Sequence, residues 1–272
     1  MPKTVAIVGA FDDPRSHQVR LLEEASKLGE VTVLLWSDKT IRAHTGKDPK
    51  FPLAERLYFF GAVRFVTQVI PLNDSVSPDV LPAIERFRPS EWVDDADSAN
   101  ERRQKFCRDH GLRYRVFPAL ELKGFPEPPA SETPVGARKV IVTGCYDWLH
   151  SGHVRFFEEV STYGDLYAIV GNDANIHLLK GDGHPLLSQQ ERQYMVGSIR
   201  YVKQALISSG AGWLDADPEI RRLKPDIYAV NEDGDRGGKR EYCARIGIEY
   251  LVLKRIPAPG LAQRSSTDLR GF

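Results

Sequence analysis

The sequence has no excess of either charge, few cysteines and no long apolar run. Its 272 residues include 37 Lys and Arg and 37 Asp and Glu, so the chain has no overall basic field of the kind that attracts nucleic acid. The three cysteines form no C-x-x-C pair, which indicates neither a disulfide framework nor a zinc site. No stretch of about 20 apolar residues is present, and we therefore expect no membrane span.

The first residues show no export signal. The apolar run at 4–8 is too short for the core of a signal peptide. Because a disulfide framework is also missing, nothing in the sequence indicates an oxidising compartment. We therefore expect a cytoplasmic protein.

What the sequence does contain is an internal repeat. A shift of 135 residues places 9–38 on 144–173, and ten of these thirty positions are identical. Average residue usage would give roughly two. With one residue inserted the register continues, so that Arg56 meets Arg192. A period of this length is far too long for a solenoid, and it indicates two tandem domains.

A proline-rich stretch marks the boundary between the two copies. Residues 124–134 read G-F-P-E-P-P-A-S-E-T-P, a composition typical of a stiff, extended linker. We predict a first domain at 1–118, a linker at 119–138 and a second domain at 139–272. Each domain is long enough to form a core of its own.

Apolar runs and helical patterns alternate along each copy. In the second copy the patterns predict strands at 139–143, 165–171, 203–208, 226–231 and 249–253. They predict helices at 152–163, 173–179, 188–200, 216–223 and 238–246. This alternation implies right-handed crossovers between parallel strands. The fold class is therefore α/β, with two tandem Rossmann-like domains built on parallel sheets, and ligands should bind beyond the carboxyl ends of the strands.

The most informative stretch is 144–153, G-C-Y-D-W-L-H-S-G-H, which follows the first predicted strand of the second copy. The backbone turns at Gly144, and a helix is predicted to begin near Ser151. His150 and His153 therefore lie at a helix N-terminus, where free N–H groups and the helix dipole favour a phosphate. Two imidazole donors at that place are suited to holding a phosphate while charge develops on it.

The pattern G-x-x-D-x-x-H-x-G-H after a strand resembles the signature of the H-x-G-H nucleotidyltransferases. The choline-phosphate, ethanolamine-phosphate and glycerol-3-phosphate cytidylyltransferases look most similar, over most of the second half of the chain. The resemblance implies nucleotidyltransferase domains that join a nucleoside triphosphate to a phosphate-bearing substrate and release pyrophosphate. It implies Mg²⁺ bound mainly through the triphosphate, with His150 and His153 as catalytic residues. Nucleotide contacts are expected from Gly144, Cys145, Tyr146, Asp147 and Gly152.

Further residues of the family pattern follow the signature. Lys180 stands where the family has a lysine against the phosphates, and we assign it to catalysis. Arg192 is expected either at the triphosphate or in a salt bridge on its helix. Asn231 and Asp233 lie in an acidic loop that the resemblance places near the base and ribose, with a solvated turn as the alternative.

The C-terminal region departs from the family pattern. Arg255 and the run Ser265, Ser266 and Thr267 resemble a signature that meets the β- and γ-phosphates. Nine residues separate Arg255 from Ser265, more than the family has there, so Arg264 is a candidate to replace Arg255. A helix N-cap at Ser265 or Ser266 is the structural alternative, and both roles can coexist because they use the same helix end.

Three residues of the second copy carry a structural prediction. Asp147 and Asp173 recur in the first copy as Asp12 and Asp38. Their recurrence favours local structure, namely a turn hydrogen bond for Asp147 and a helix N-cap for Asp173. Ser188 is predicted to cap the next helix, with a glutamate three residues later completing a capping box.

The first copy keeps the scaffold and lacks the phosphate-handling side chains. Arg15 and Gln18 stand in place of the two histidines, and Thr45 stands in place of the lysine. We therefore predict a catalytically silent first domain. Because several relatives are homodimers, we further predict that the two domains form an intramolecular pseudo-dimer. A homodimer of the whole chain is the other arrangement that the resemblance allows.

These observations favour transfer of a cytidylyl group from CTP to a small phosphorylated or phosphonate acceptor, by direct displacement of pyrophosphate. The segment 199–202 resembles the cytidylyltransferase form, which favours CTP over ATP. An adenylyltransferase on the same scaffold is the first alternative. A nucleotide-binding sensor without turnover is the second, because the first copy is degenerate and the C-terminal signature is altered. The sequence does not identify the acceptor.

Overall fold

The chain forms two α/β units. The computed structural model describes residues 3–74, 77–82, 87–127 and 133–265. Two compact units result, Met1–Gly124 and Phe125–Phe272, and each has a five-stranded parallel sheet. In the described part of the chain, no helix has both the length and the apolar composition needed to cross a bilayer.

The first unit alternates strands and helices. Its elements are β1 (Thr4–Gly9), α1 (Ser16–Ser26), β2 (Glu30–Leu35), α2 (Asp38–Thr45), α3 (Leu53–Gly61), β3 (Gln68–Pro71), β4 (Glu91–Asp95), α4 (Glu101–Asp109) and β5 (Arg113–Phe117). The strand order across the sheet is β3-β2-β1-β4-β5.

The second unit has the same alternation. Its strands are β6 (Lys139–Gly144), β7 (Asp165–Val170), β8 (Val202–Ile207), β9 (Ile227–Asn231) and β10 (Glu249–Leu253). Its α-helices are α5 (Ser151–Val160), α6 (Asp173–Lys180), α7 (Gln189–Gly197), α8 (Asp217–Leu223) and α9 (Lys239–Ile246). Short 3₁₀ turns occur at Ser161–Tyr163, Gly212–Leu214 and Glu232–Gly234. The strand order is β10-β9-β6-β7-β8, which is the order of the first unit counted from its own first strand.

The order of the strands creates a crevice between β6 and β9. The chain runs outward from β6 through β7 to β8 and then returns to place β9 on the other side of β6. Strands β6 and β7 pair along six residues, whereas β6 and β9 pair only at Val140–Ile227 and Ile141–Tyr228. The carboxyl ends of β6 and β9 therefore diverge, and ligands of doubly wound sheets bind at such a switch point.

Burial explains why the apolar runs become strands. Val140, Ile141 and Val142 of β6 are fully buried, as expected for a parallel strand that is covered on both faces. Helix α5 packs on the sheet through Val154 and Phe157 and leaves its other face polar. The buried residues of the unit thus lie on both sides of a central strand that ends at the signature loop.

The predicted fold class is confirmed, and the predicted strands of the second copy agree with the observed ones to within one residue at each end. Helices α5 and α7 differ most from the prediction, because α5 ends at Val160 and not at 163, and α7 ends at Gly197 and not at 200. Beyond Gly197 the Ile199 N–H bonds to the Val196 carbonyl, three residues back, and the α-helical ladder stops there. Val196 and Ile199 are nonetheless fully buried.

Candidate active site

A cavity of about 620 Å³ opens where β6 and β9 diverge. The loop after β6, the start of α5, the end of α6 and the loop after β9 form its walls. Its polar side chains belong to Thr143, Cys145, Tyr146, Asp147, His150, His153, Lys180, His184, Asn231, Asp233, Lys239 and Arg255. The structure thus brings most of the sequence-predicted residues, including Gly144 and Gly152, to one place.

The two histidines occupy the first turn of α5. His150 is the N-cap, and its Nδ1 accepts the N–H of Gly152 at 3.1 Å. The His150 and His153 ring centroids are 4.0 Å apart. A Cβ at position 152 would lie 2.9 Å from the His150 ring, so glycine there lets the imidazole fold over the start of the helix. The x-G-H part of the motif thus has a steric explanation.

Hydrogen bonding fixes which nitrogen of His150 carries the proton. Because Nδ1 accepts a backbone N–H, the neutral ring has its proton on Nε2. That Nε2 is buried and has no hydrogen-bond partner within the described chain. The Nδ1 of His153 is buried without a described partner as well. Buried polar atoms are normally satisfied, so a pair of unsatisfied imidazoles beside a cavity indicates a ligand.

The electrostatic surroundings favour the neutral form of both imidazoles. Burial, the neighbouring His153 and the Arg255 guanidinium hold the pKa of His150 well below its usual range. Burial and Arg255 lower the pKa of His153 to about 4, against an opposing effect of Asp233. Perturbed pKa values of this kind are characteristic of functional sites. An anion in the cavity would raise both pKa values, because it favours the charged form.

Three cations line the same cavity. Lys180 is the last residue of α6, and within the described residues its ammonium makes no ion pair. Lys239 begins α9, and its Nζ donates to the Gly234 carbonyl at 2.8 Å. Arg255 donates to Asp233 at 2.6 Å and to the carbonyl of Arg264. Asp233, predicted at the base and ribose, is therefore the ion-pair partner of Arg255.

The structure corrects the prediction that Arg192 reaches the triphosphate. Its side chain is fully buried and lies outside the cavity. It donates to the carbonyl of Leu187 at 3.0 Å, to the carbonyl of Cys145 at 2.6 Å and to Asp173 at 2.6 Å. Because the loop after β6 and the start of α6 share this guanidinium, Arg192 positions the walls of the cavity.

Two aspartates next to Arg192 have related structural roles. Asp147 faces the cavity, but its carboxylate accepts the N–H groups of Leu186 and Leu187 at 2.7 and 3.0 Å. These bonds are structural, as predicted, but they are not the predicted local turn bond, because they join segments 39 residues apart in the chain. Asp173 is not the N-cap that its recurrence predicted. Asn172 caps α6, and Asp173 is the partner of Arg192.

The C-terminal signature is only partly described. Arg264 and Ser265 do not line the cavity, although the Arg264 carbonyl lies 3.6 Å from the position of a Cβ on Gly152. Ser266 and Thr267 lie outside the described residues, so their predicted phosphate contacts stay predictions. Ser188 does cap α7 by accepting the Glu191 N–H at 3.2 Å.

Sequence reasoning missed three polar residues of the cavity, namely Thr143, His184 and Lys239. His184 lies in the segment that Asp147 anchors, and its Nδ1 is 3.9 Å from the Asp147 carboxylate. The sequence contains no local sign of this placement, because it depends on a contact across the fold. Lys239 was detectable in principle, since a lysine directly after Gly237-Gly238 opens the helix that follows β9. A residue at that helix start faces the switch point.

The first unit has the same framework. Asp12 accepts the N–H groups of Lys50 and Phe51 at 2.8 and 2.9 Å. The fully buried Arg56 donates to the Ala10 carbonyl and to Asp38. These contacts repeat those of Asp147 and Arg192, which identifies the latter pair as parts of the scaffold.

The cavity of the first unit differs in its charges. It measures about 520 Å³ and also lies beside the ends of the first and fourth strands of its sheet. Its charged side chains are Arg103 and four aspartates, Asp79, Asp94, Asp95 and Asp97. His17 bonds to Asp95 at 2.8 Å. An acidic cavity repels a triphosphate, which agrees with the predicted loss of chemistry in this copy.

Comparison with known proteins gives the class of the chain. Residues 141–271 match the family described as cytidylyltransferase-like. An FAD synthase of Ferroglobus placidus is 32% identical over 120 residues, which are 43% of this chain and 75% of that protein. An FAD synthase of Methanocella arvoryzae is 30% identical, over 43% of this chain and 81% of that protein. These matches define a nucleotidyltransferase.

The chain belongs to the cytidylyltransferase-like family of the nucleotidyltransferase superfamily. A bifunctional protein HldE of Pelobacter propionicus is 34% identical over 99 residues, but the chain spans only 20% of that protein's length. Among solved structures, a lipopolysaccharide core biosynthesis protein of Thermoplasma volcanium is 22% identical. Its TM-score is 0.38, and the likeness covers 45% of this chain and 99% of that chain.

Proposed function

We propose that the second unit transfers a cytidylyl group from CTP to a small acceptor that carries a phosphate or phosphonate group. The observation that carries this proposal is the pair of buried, unpartnered imidazole nitrogens beside a cavity with three cations. Such a group of donors is suited to a bound polyphosphate, because its negative charge needs stabilisation while it changes in the reaction.

The reaction is a direct displacement. An oxygen of the acceptor's phosphate attacks the α-phosphorus of the nucleotide, and a new O–P bond forms. The bond from the α-phosphorus to the bridging oxygen breaks, and pyrophosphate leaves with that oxygen. Such a transfer needs positioning and charge stabilisation and no protein nucleophile.

This chain's residues have distinct roles in the proposal. The Nε2–H of His150 donates to the transferring phosphate, and His153 does so beside it. Lys180 makes no ion pair in the described structure, and in the proposal its ammonium holds the phosphates of the acceptor and the nucleotide close together. Each donor should contribute about 3 to 4 kcal/mol to the transition state.

Mg²⁺ fits this site only if it is bound through the nucleotide. In the described part of the chain, no group of three or more His, Cys, Asp or Glu side chains is arranged to hold a metal ion. Of the cavity carboxylates, Asp147 binds backbone N–H groups and Asp233 binds Arg255. We therefore propose that Mg²⁺ is held mainly by phosphate oxygens, where it neutralises their charge.

ATP is the second candidate nucleotide. The segment 199–202 favours CTP by resemblance, but Ile199 and Val202 are buried in the core and do not line the cavity. Two relatives are FAD synthases, and FAD contains an adenine nucleotide. Their relation to this chain favours adenylyl transfer.

The test is a pyrophosphate-release assay with CTP, ATP, GTP and UTP against a panel of phosphorylated alcohols, sugar phosphates and phosphonates. A His150→Ala/His153→Ala double variant gives the background. We expect release only with CTP and a phosphorylated acceptor. Release with ATP alone would replace CTP by ATP in the proposal. Tight nucleotide binding without any release would instead identify a nucleotide sensor.

A further inference from the structure

Tyr146 has a hydroxyl that the fold does not use. The residue lies in the loop after β6, has a φ of 54° and is 6% exposed. Its ring covers Gly144, where a Cβ would lie only 2.7 Å from the tyrosine Cζ. The hydroxyl oxygen is enclosed and has no hydrogen-bond partner in the described structure, although the side chain lines the cavity.

The first unit shows what this position requires for folding. Phe11 occupies the equivalent place with a φ of 47° and is 7% exposed. Its ring covers Gly9, with a ring carbon 3.0 Å from the position of a Cβ there. A hydrocarbon ring is therefore sufficient to cover the glycine and to hold the left-handed backbone. The hydroxyl of Tyr146 adds nothing to that role.

An unused buried hydroxyl destabilises the protein. Removing a hydroxyl from water without giving it a partner is unfavourable, and most buried polar groups in proteins have one. Burial also raises the pKa of Tyr146, so the group is an uncharged O–H donor at neutral pH. A destabilising group that is retained at a cavity indicates a function for that group.

The hydroxyl belongs to a set of three unsatisfied groups. The Tyr146 and His153 rings are in edge-to-face contact with their centroids 5.4 Å apart, and the His150 ring lies next to His153. All three side chains line the cavity and carry a buried polar atom without a described partner. The first unit has Phe11, Arg15 and Gln18 at these positions, so the three donors are absent there together.

We propose that the Tyr146 hydroxyl donates a hydrogen bond to a phosphate oxygen of the bound nucleotide, as a third donor beside His150 and His153. This inference rests on the proposed function, because it needs a polyphosphate in the cavity. It makes Tyr146 a substrate-contacting residue. It also explains why a phenylalanine, Phe11, is sufficient at the same position of a catalytically silent first unit.

Tyr146→Phe tests the proposal, and Tyr242→Phe is the matched control. Tyr242 is a buried tyrosine of the same unit whose hydroxyl donates to Asp217 at 2.7 Å, outside the cavity. Binding of CTP, ATP and inorganic pyrophosphate, each with Mg²⁺, is measured by calorimetry, and the melting temperature is measured without ligand.

The two variants should respond in opposite ways. Tyr146→Phe should weaken nucleotide or pyrophosphate binding on the order of 10-fold, because a donor to a charged oxygen is lost. Its melting temperature should be unchanged or higher. Tyr242→Phe should melt lower and bind as the unaltered protein does.

The outcomes separate this inference from the proposed function. If the unaltered protein binds and Tyr146→Phe binds equally well, the hydroxyl contacts no phosphate and only this inference is overturned. A clear drop in the melting temperature of Tyr146→Phe would also overturn it, because the hydroxyl would then have a structural partner. If the unaltered protein binds none of the three probes, the proposed function and this inference fail together.

Discussion

At the scale of single residues, position 152 shows how sterics and chemistry combine. Gly152 leaves room for the His150 ring to turn back and accept the Gly152 N–H. This bond places the His150 proton on Nε2 and so makes the buried nitrogen a donor. A larger residue at 152 would displace the ring and with it the donor.

His153→Ala should lower the turnover number by roughly 10² to 10³ while the protein stays folded, because one phosphate donor is lost. Pyrophosphate release and circular dichroism check the two parts of this prediction. His177→Ala is the matched control, since His177 is an exposed histidine of α6 outside the cavity. Near-normal turnover of His153→Ala would remove His153 from catalysis.

The pKa of His153 predicts a pH dependence of stability. Its pKa is about 4 in the folded protein, against the ordinary histidine value of 6.5, so the unfolded chain binds more protons between these values. The free energy of unfolding should therefore fall as the pH is lowered from about 6.5 toward 4.

Urea unfolding without ligand at several pH values measures this dependence. His153→Asn should show a shallower fall than the unaltered protein, because the group that gains a proton on unfolding is absent. Equal slopes for the two proteins would contradict a depressed pKa at His153. Pyrophosphate should reduce the slope of the unaltered protein, since an anion raises the imidazole pKa.

At the scale of elements, buried side chains hold the loops that form the cavity. Arg192 of α7 reaches the carbonyl after β6 and the first turn of α6, and Asp147 ties the loop before α7 to the signature. None of these contacts lies within one helix or strand. The relative positions of β6, α6 and α7 therefore depend on two charged side chains.

Arg192→Met should lower the free energy of unfolding by about 3 kcal/mol or more, because it removes the hydrogen bonds of a buried charge. Arg56→Met should destabilise the first unit similarly, since Arg56 makes the same kinds of contact. Thermal unfolding of both variants tests this. A stable Arg192→Met protein that binds nucleotide weakly would restore the original phosphate-binding prediction for Arg192.

At the scale of the whole molecule, two similar folds have cavities of opposite net charge. The cavity of the second unit has two lysines, an arginine and two aspartates, and that of the first unit has four aspartates and one arginine. The predicted domain limits, the pseudo-dimer and the homodimer remain predictions. The difference in charge by itself predicts that only one unit binds a nucleotide.

Titration with the preferred nucleotide should therefore give a stoichiometry of one per chain, because the acidic cavity repels a polyphosphate. Isothermal titration calorimetry provides the number. Lys180→Gln should weaken the single site, whereas Lys47→Gln, on the exposed surface of the first unit, should leave it unchanged. Two equivalent sites would show that the first unit is not silent.

The sequence by itself determined the local and periodic features. The alternation of apolar runs predicted the strands, since a strand covered on both faces needs a continuous apolar run. The repeat and the H-x-G-H motif predicted where two imidazoles begin a helix, because helix start and histidine spacing are both local properties. The resemblance to the nucleotidyltransferases rests on the same residues.

Only the tertiary structure decided which distant groups meet. It buried Arg192, whose guanidinium donates to backbone carbonyls. It also brought His184 and Lys239 into the cavity. It also left the Tyr146 hydroxyl without a partner. These outcomes depend on how loops from separate crossovers converge at the diverging ends of β6 and β9, and the burial and partners of a side chain there are set by residues far away in the chain.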